Sequence, residues 1–163
     1  MPKGCIGPVE PDKRRDWADA ELNAGHGSRL LRGENARVVE NCLLHDHGSR
    51  YALAAWCIMP NHVHVLMEQF PGHKLSTVVQ TWKSVTAHAI NKRERLTGAL
   101  WQREYFDRHM RDEEQFARTT AYIENNPVAA GLAERPEDWR FSSAWSGWTN
   151  DAGEGAGAPE ASP

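Results

Sequence analysis

Two histidines one residue apart, His62 and His64, sit in the run Met59-Pro60-Asn61-His62-Val63-His64-Val65-Leu66-Met67-Glu68. In an extended strand that spacing sends both imidazoles to one face, and imidazole is the commonest metal-ligating side chain near neutral pH. A solvated strand face more often carries Lys, Thr or Glu, whereas this pair is set among Val, Leu and Met. Two neutral imidazoles leave a divalent ion short of ligands and supply no nucleophile, so other segments must provide both. Tyr122 and Asn126 are the candidates. At i and i+4 they share one helix face, and an amide oxygen is a suitable hard ligand for Mg²⁺ or Mn²⁺. A phenol is a weak nucleophile at neutral pH, but a metal that polarises the acceptor phosphate lessens the activation it needs. Most tyrosines on amphipathic helices are packing residues; Asn126 one turn away lifts Tyr122 above that background. If this helix face docks over the histidine strand, nucleophile and metal converge.

The 163 residues fit one domain with a real core. A net charge of −3 argues against a protein held to nucleic acid by overall charge. The distribution is more informative: Lys74 to Arg111 carries eight Lys or Arg against three acids, a local balance of +5. That segment can face phosphate, and Lys83 on its polar side is a candidate for a phosphate or leaving group, although a lone helix lysine is more often simply solvated. Cys5, Cys42 and Cys57 have neither an even count nor C-x-x-C spacing, so no disulfide framework or zinc knuckle is indicated. No apolar run reaches the roughly 20 residues of a membrane span, and a cytoplasmic location is expected.

The elements that must position these side chains can be read in order. Residues 1–32 show no alternating apolar pattern and are read as an irregular N-terminal arm. Ala36, Val39 and Leu43 recur at helical spacing from Gly33 to His47, with Gly48 as the stop. Tyr51 to Met59 and His62 to Glu68 read as an antiparallel strand pair, the first covered on both faces. On the second, Val63, Val65 and Met67 should meet the core while His62, His64, Leu66 and Glu68 open toward a site. Leu75, Val78, Val79, Trp82, Thr86 and Ile90 trace the apolar stripe of a long helix, Lys74 to Arg95. A short strand is expected within Leu100–Asp107. Asp112 and Gln115 form a capping-box signature for a helix ending near Asn125 or Asn126, before Pro127. Residues 33–150 thus form the domain, and 151–163 read as a disordered acidic tail.

The strings WCIMPNHVHVLME, TWKSVTAHAIN, LWQREYFDRHMRDEEQF and YIENNPVAAGL, followed by Pro136, Trp139 and Ser142-Ser143, occur in that order. Together they resemble the REP-associated tyrosine transposases, bacterial relatives of the single-tyrosine HUH insertion-sequence transposases, from about residue 33 to 144. The resemblance implies an α/β (α+β) domain with a ferredoxin-like antiparallel sheet and helices packed on it. It implies that His62 and His64 are the HUH metal ligands, Asn126 the third ligand and Tyr122 the nucleophile. With Mg²⁺ or Mn²⁺ as cofactor, Tyr122 would cut single-stranded DNA at short palindromic hairpins through a 5′-phosphotyrosine, leaving a 3′-hydroxyl for strand transfer. Expected DNA contacts are Lys83, Trp82, Arg103 and Arg108; expected partners are single-stranded or hairpin DNA, with the protein a monomer or homodimer in the bacterial nucleoid and no membrane association. Such proteins begin with a hydrophobic strand near the sheet centre, and residues 1–32 carry none, so that strand is expected to be missing or replaced. The alternative is a hairpin-binding protein that keeps the fold without catalysis; a hydrolytic phosphoesterase using paired histidines is a weaker third reading, because the two H-x-[ST] strings, His26-Gly27-Ser28 and His47-Gly48-Ser49, lie outside the predicted strands.

Overall fold

The computed structural model describes residues 17–25 and 29–148. Strand β1 (Trp17–Asn23) leads to helix α1 (Glu34–His45), the strand pair β2 (Tyr51–Ile58) and β3 (His62–Gln69), helix α2 (Leu75–Glu94), strand β4 (Phe106–His109) and helix α3 (Glu113–Ala129). A single 3₁₀ turn follows at Pro136–Asp138. The sheet is antiparallel in the order β2-β3-β1-β4. This is the expected α+β architecture, with α1 and α2 on one face and α3 on the other. The expected tail 151–163 lies outside the described residues.

The expectation of a missing first strand is overturned. β1, with the sequence WADAELN, fills the sheet centre between β3 and β4. Its alternation is real but muted: Ala18, Ala20 and Leu22 are buried, while Trp17, Asp19, Glu21 and Asn23 are only partly so. Ala, Asp, Glu and Asn are poor strand formers taken singly, and the core bulk comes instead from α1 and α2. Ala18, Ala20 and Leu22 join one cluster with Val39, Leu43, Val78, Val79 and Trp82. Small residues on this strand leave the bulk of that cluster to the larger side chains of its neighbours, Trp82 of α2 among them.

β2 departs from simple alternation. Its register against β3 shifts between Leu53 and Ala55, a bulge that adds one residue and exchanges the two faces beyond it. Tyr51, Leu53, Trp56 and Ile58 therefore share the main core, while Ala55, Cys57 and Met59 turn toward α3 with Leu66 and Ile123. The segment after the 3₁₀ turn lies along the outer edge of β2. Ile58 and Ser143 backbone N–H groups donate to the carbonyls of Phe141 and Trp56, and Trp139 Nε1 donates to the Ile58 carbonyl at 3.0 Å.

Two boundaries differ from the sequence reading. The strand expected within Leu100–Asp107 begins only at Phe106, because Leu100 and Trp101 are buried in the core instead. α3 runs through Pro127 to Ala129. Its stop is a Schellman motif at Gly131 (φ 67°): Leu132 N–H donates to the Pro127 carbonyl and Gly131 N–H to that of Val128. The start matches: Asp112 accepts from Gln115 N–H at 2.7 Å, and the Gln115 side chain accepts from Arg111 N–H.

Two outcomes follow from the central strand. Leu22→Ala removes a side chain only 2% exposed and should cost about 2–5 kcal/mol of stability, read by chemical denaturation; a loss below about 1 kcal/mol would show that β1 is not part of the core. Asp19, whose Oδ1 is buried without a hydrogen-bond partner, has its carboxyl pushed up to about 6, chiefly by burial and then by Glu21, against the opposing pull of Arg108. The folded chain thus holds an extra proton between about pH 4 and pH 6, and this group withdraws stability as pH rises through that window. Asp19→Asn should raise the melting temperature most above pH 6, and the gain should vanish near pH 4.

Candidate functional site

The antiparallel register carries the site. Asn23 lies opposite His62 and Glu21 opposite His64, and directly paired residues project from the same face. His64 is 3% exposed, and its ring stands 5.0 Å from that of His62, nearly perpendicular to it. His62 Nδ1 lies 2.8 Å from the Asn61 amide oxygen, which accepts its N–H.

α3 crosses above this pair because Ile123, fully buried, packs on Leu66, Ala55, Cys57 and Met59. Trp17 and Phe116 add an edge-to-face contact with ring centroids 4.8 Å apart, and Ser143 Oγ donates to Glu124 at 2.9 Å. With Ile123 inward, its neighbour Tyr122 falls at the rim. Tyr122 is 59% exposed, with its ring 5.5 Å from His64. One turn on, the Asn126 amide reaches His64 Nε2 at 3.4 Å. The residues expected from sequence to converge, His62, His64, Tyr122 and Asn126, do so.

Burial decides the charge state of His64. Desolvation lowers its pKa to about 4, outweighing the opposing pull of Glu21 and reinforced by His62. The imidazole is therefore neutral at physiological pH, which is the ligating form. Its Nδ1 is buried without a hydrogen-bond partner and lies 3.9 Å from Glu21 Oε2. An Asn126 N–H donated to Nε2 implies that the ring proton is on Nδ1, aimed at Glu21. Turning the Asn126 amide over presents its oxygen, in place of its N–H, toward His64 Nε2, so that two lone pairs face each other as a cation would require. Among the described residues no three His, Cys, Asp or Glu side chains form a metal-holding group; the amide that meets His64 Nε2 is that of Asn126. Two imidazoles and an amide oxygen are a donor set able to hold a divalent cation with positions left open, and a buried imidazole whose Nδ1 faces a carboxylate has the form of a supported ligand.

Glu21 was not legible as a site residue, since the signal that finds it is the register of a strand hidden in WADAELN. Two expected DNA contacts are corrected. Trp82 is 3% exposed and donates its Nε1–H to the buried Tyr51 hydroxyl at 3.0 Å, so it is core. The Lys83 ammonium donates to the carbonyls of Gln102, Arg103 and Glu104 at 2.8, 3.1 and 3.3 Å. Burial holds it below the ordinary lysine value, and it fastens the loop before β4 to α2 instead of reaching phosphate. Arg103 and Arg108 are exposed, as a DNA contact requires. No helix among the described residues is long and apolar enough to cross a membrane.

Comparison with known proteins agrees with the resemblance read from the motifs. The family model described as Transposase IS200 like matches residues 31–126. A protein of Haemophilus influenzae assigned as a REP-associated tyrosine transposase is 30% identical over 104 residues, covering 57% of this chain and 58% of that protein. The chain thus spans less than two thirds of that relative's length. Among solved structures, a REP-associated tyrosine transposase bound to a REP hairpin superposes with a TM-score of 0.68 at 20% identity, over 93% of both chains. A protein of Deinococcus radiodurans assigned as a transposase gives a TM-score of 0.50 at 20% identity, over 77% of this chain and 97% of that one. The structural likenesses establish the fold, and with the family model spanning more than half of its length, the chain belongs to the IS200-like transposase family.

Proposed function

We propose that this chain is a metal-dependent single-stranded DNA endonuclease and strand transferase acting at DNA hairpins. The observation that carries the reading is the meeting of an exposed tyrosine with a neutral, buried histidine whose Nε2 faces an amide one helical turn beyond that tyrosine. The solved neighbour bound to a REP hairpin supports the choice of DNA.

Tyr122 oxygen attacks the phosphorus of a phosphodiester placed between α3 and the histidine strand. The bond from phosphorus to the 3′ oxygen breaks; the phenol proton is lost and the departing 3′ oxygen gains one. The product is a 5′-phosphotyrosyl protein and a free 3′-hydroxyl, so bond energy is kept for rejoining and no nucleotide triphosphate is needed. Mg²⁺ or Mn²⁺ held by His62, His64 and Asn126 would polarise the scissile phosphate. Glu21 would accept the Nδ1–H of His64, fixing which ring nitrogen faces the phosphate. Exposure of Tyr122 lets a strand reach it, and the Ile123 anchor keeps its ring from swinging away from His64.

Incubating the protein with labelled hairpin oligonucleotides and Mn²⁺ should give a covalent protein–DNA adduct that chelation with EDTA abolishes and that Tyr122→Phe lacks. Binding without adduct would favour a hairpin-binding protein without catalysis, and product without adduct would favour hydrolysis. His64→Ala should abolish adduct while hairpin affinity stays within about a few-fold, because backbone phosphate contacts supply most of the affinity. Glu21→Gln should raise the Mn²⁺ concentration needed for adduct formation about 10–100-fold; an unchanged metal requirement would remove Glu21 from the site.

A further inference from the structure

Strand β4 carries a large apolar side chain in an unusual place. Phe106 is 60% exposed, and it pairs with Glu21, which in turn pairs with His64. The three residues form one row across the sheet on one face, so Phe106 stands two strand spacings, roughly 10 Å, from His64. On the same face of β4, two residues on, Arg108 holds its guanidinium 5.9 Å from the Phe106 ring centroid and lies opposite Asp19. An aromatic ring flanked by a guanidinium, both open to solvent beside a phosphate-cleaving site, has the make-up of a platform for one unpaired base and its phosphate.

A second copy of the chain, joining edge to edge, is the competing occupant. β4 is four residues long, FDRH, and its inner partner strand already uses one side of its backbone. Short edges with interspersed charge resist sheet extension, and Phe106 is the one apolar residue in the strand. These features favour the base. We propose that Phe106 stacks on a single unpaired nucleobase adjoining the scissile phosphate while Arg108 contacts the phosphate beside it, together fixing which phosphodiester lies at Tyr122. The proposal rests on the reading of the site as one for single-stranded DNA.

The test uses a DNA hairpin with unpaired extensions at both ends and a single abasic site walked through each extension, with affinity measured for the full chain and its variants. For the intact protein, one abasic position should weaken binding about 5- to 150-fold, the span expected for loss of one stacked base. Phe106→Ala should weaken binding to the unmodified DNA by a similar factor and be indifferent to that abasic position; Phe106→Tyr should restore the discrimination and Phe106→Leu should not. Arg108→Gln should lower the salt dependence of binding by about one phosphate contact. Equal sensitivity to every abasic position in Phe106→Ala and in the intact protein overturns the proposal, as does full rescue by Phe106→Leu or a change in oligomeric state as the sole effect of Phe106→Ala. If abasic discrimination depends on Phe106 but the intact protein forms no adduct, the platform stands and the nuclease reading falls. Adduct formation without Phe106-dependent discrimination has the reverse meaning, and failure to bind any of these DNAs overturns both.

Discussion

The pairing of β1 with β3 is the constraint on which the rest of the structure depends. That register sets Glu21 beside His64 and Asn23 beside His62, and it buries β3 in the interior of the sheet, where His64 loses water and stays neutral. Without β1, the histidine strand would be an edge with unpaired backbone groups and exposed valines. The same strand contributes Ala18, Ala20 and Leu22 to the main core, the cluster in which Trp82 and Tyr51 meet edge to face with ring centroids 5.3 Å apart. One strand therefore fixes both the floor of the site and the packing that holds it rigid.

The opposite wall is α3, and it is located by apolar contacts more than by polar ones. Ile123 sinks into the patch formed by Leu66, Ala55, Cys57 and Met59, a patch that exists because the β2 bulge turns Ala55 and Cys57 to this face. The chain after α3 then doubles back along β2, where Ser143 ties Trp56 to Glu124. Tyr122 and Asn126 are thereby held from the sheet side by Ile123 and from the edge side by Glu124. Placement to within a fraction of an ångström matters for an in-line displacement of the kind proposed, and this double restraint is what the fold would contribute to it. Lys83, engaged by three carbonyls of the loop before β4, gives the same kind of support to the strand bearing Phe106 and Arg108.

Much of this was legible in the sequence. The H-x-H spacing gave the shared face of the histidines, the i, i+4 spacing gave Tyr122 with Asn126, and the stripe of α2 matched Leu75–Glu94 closely. What was hidden has physical causes. β1 is built from Ala, Asp, Glu and Asn because its partners bring the bulk, so neither its hydrophobicity nor its propensity marks it. The β2 bulge cannot be seen in a run apolar on both faces. Pro127 reads as a helix stop, yet a proline near a helix end costs one hydrogen bond, and the Schellman motif at Gly131 satisfies the carbonyls beyond it. Trp82 and Lys83 drew attention as DNA contacts because aromatic and basic types suit nucleic acid; their burial is a tertiary property.

On the proposed function, Tyr122 and no other tyrosine reacts at the histidine strand. The chain has three tyrosines; Tyr51 is buried with its hydroxyl donated to the Leu43 carbonyl at 2.7 Å, and Tyr105 packs against the core beside Lys83. Tandem mass spectrometry of the nuclease-trimmed, proteolysed adduct formed with hairpin DNA and Mn²⁺ locates the linkage directly. A 5′-linked nucleotide on Tyr122 alone is the expected result; linkage at Tyr105 or Tyr51, or through a 3′-phosphate, would contradict it.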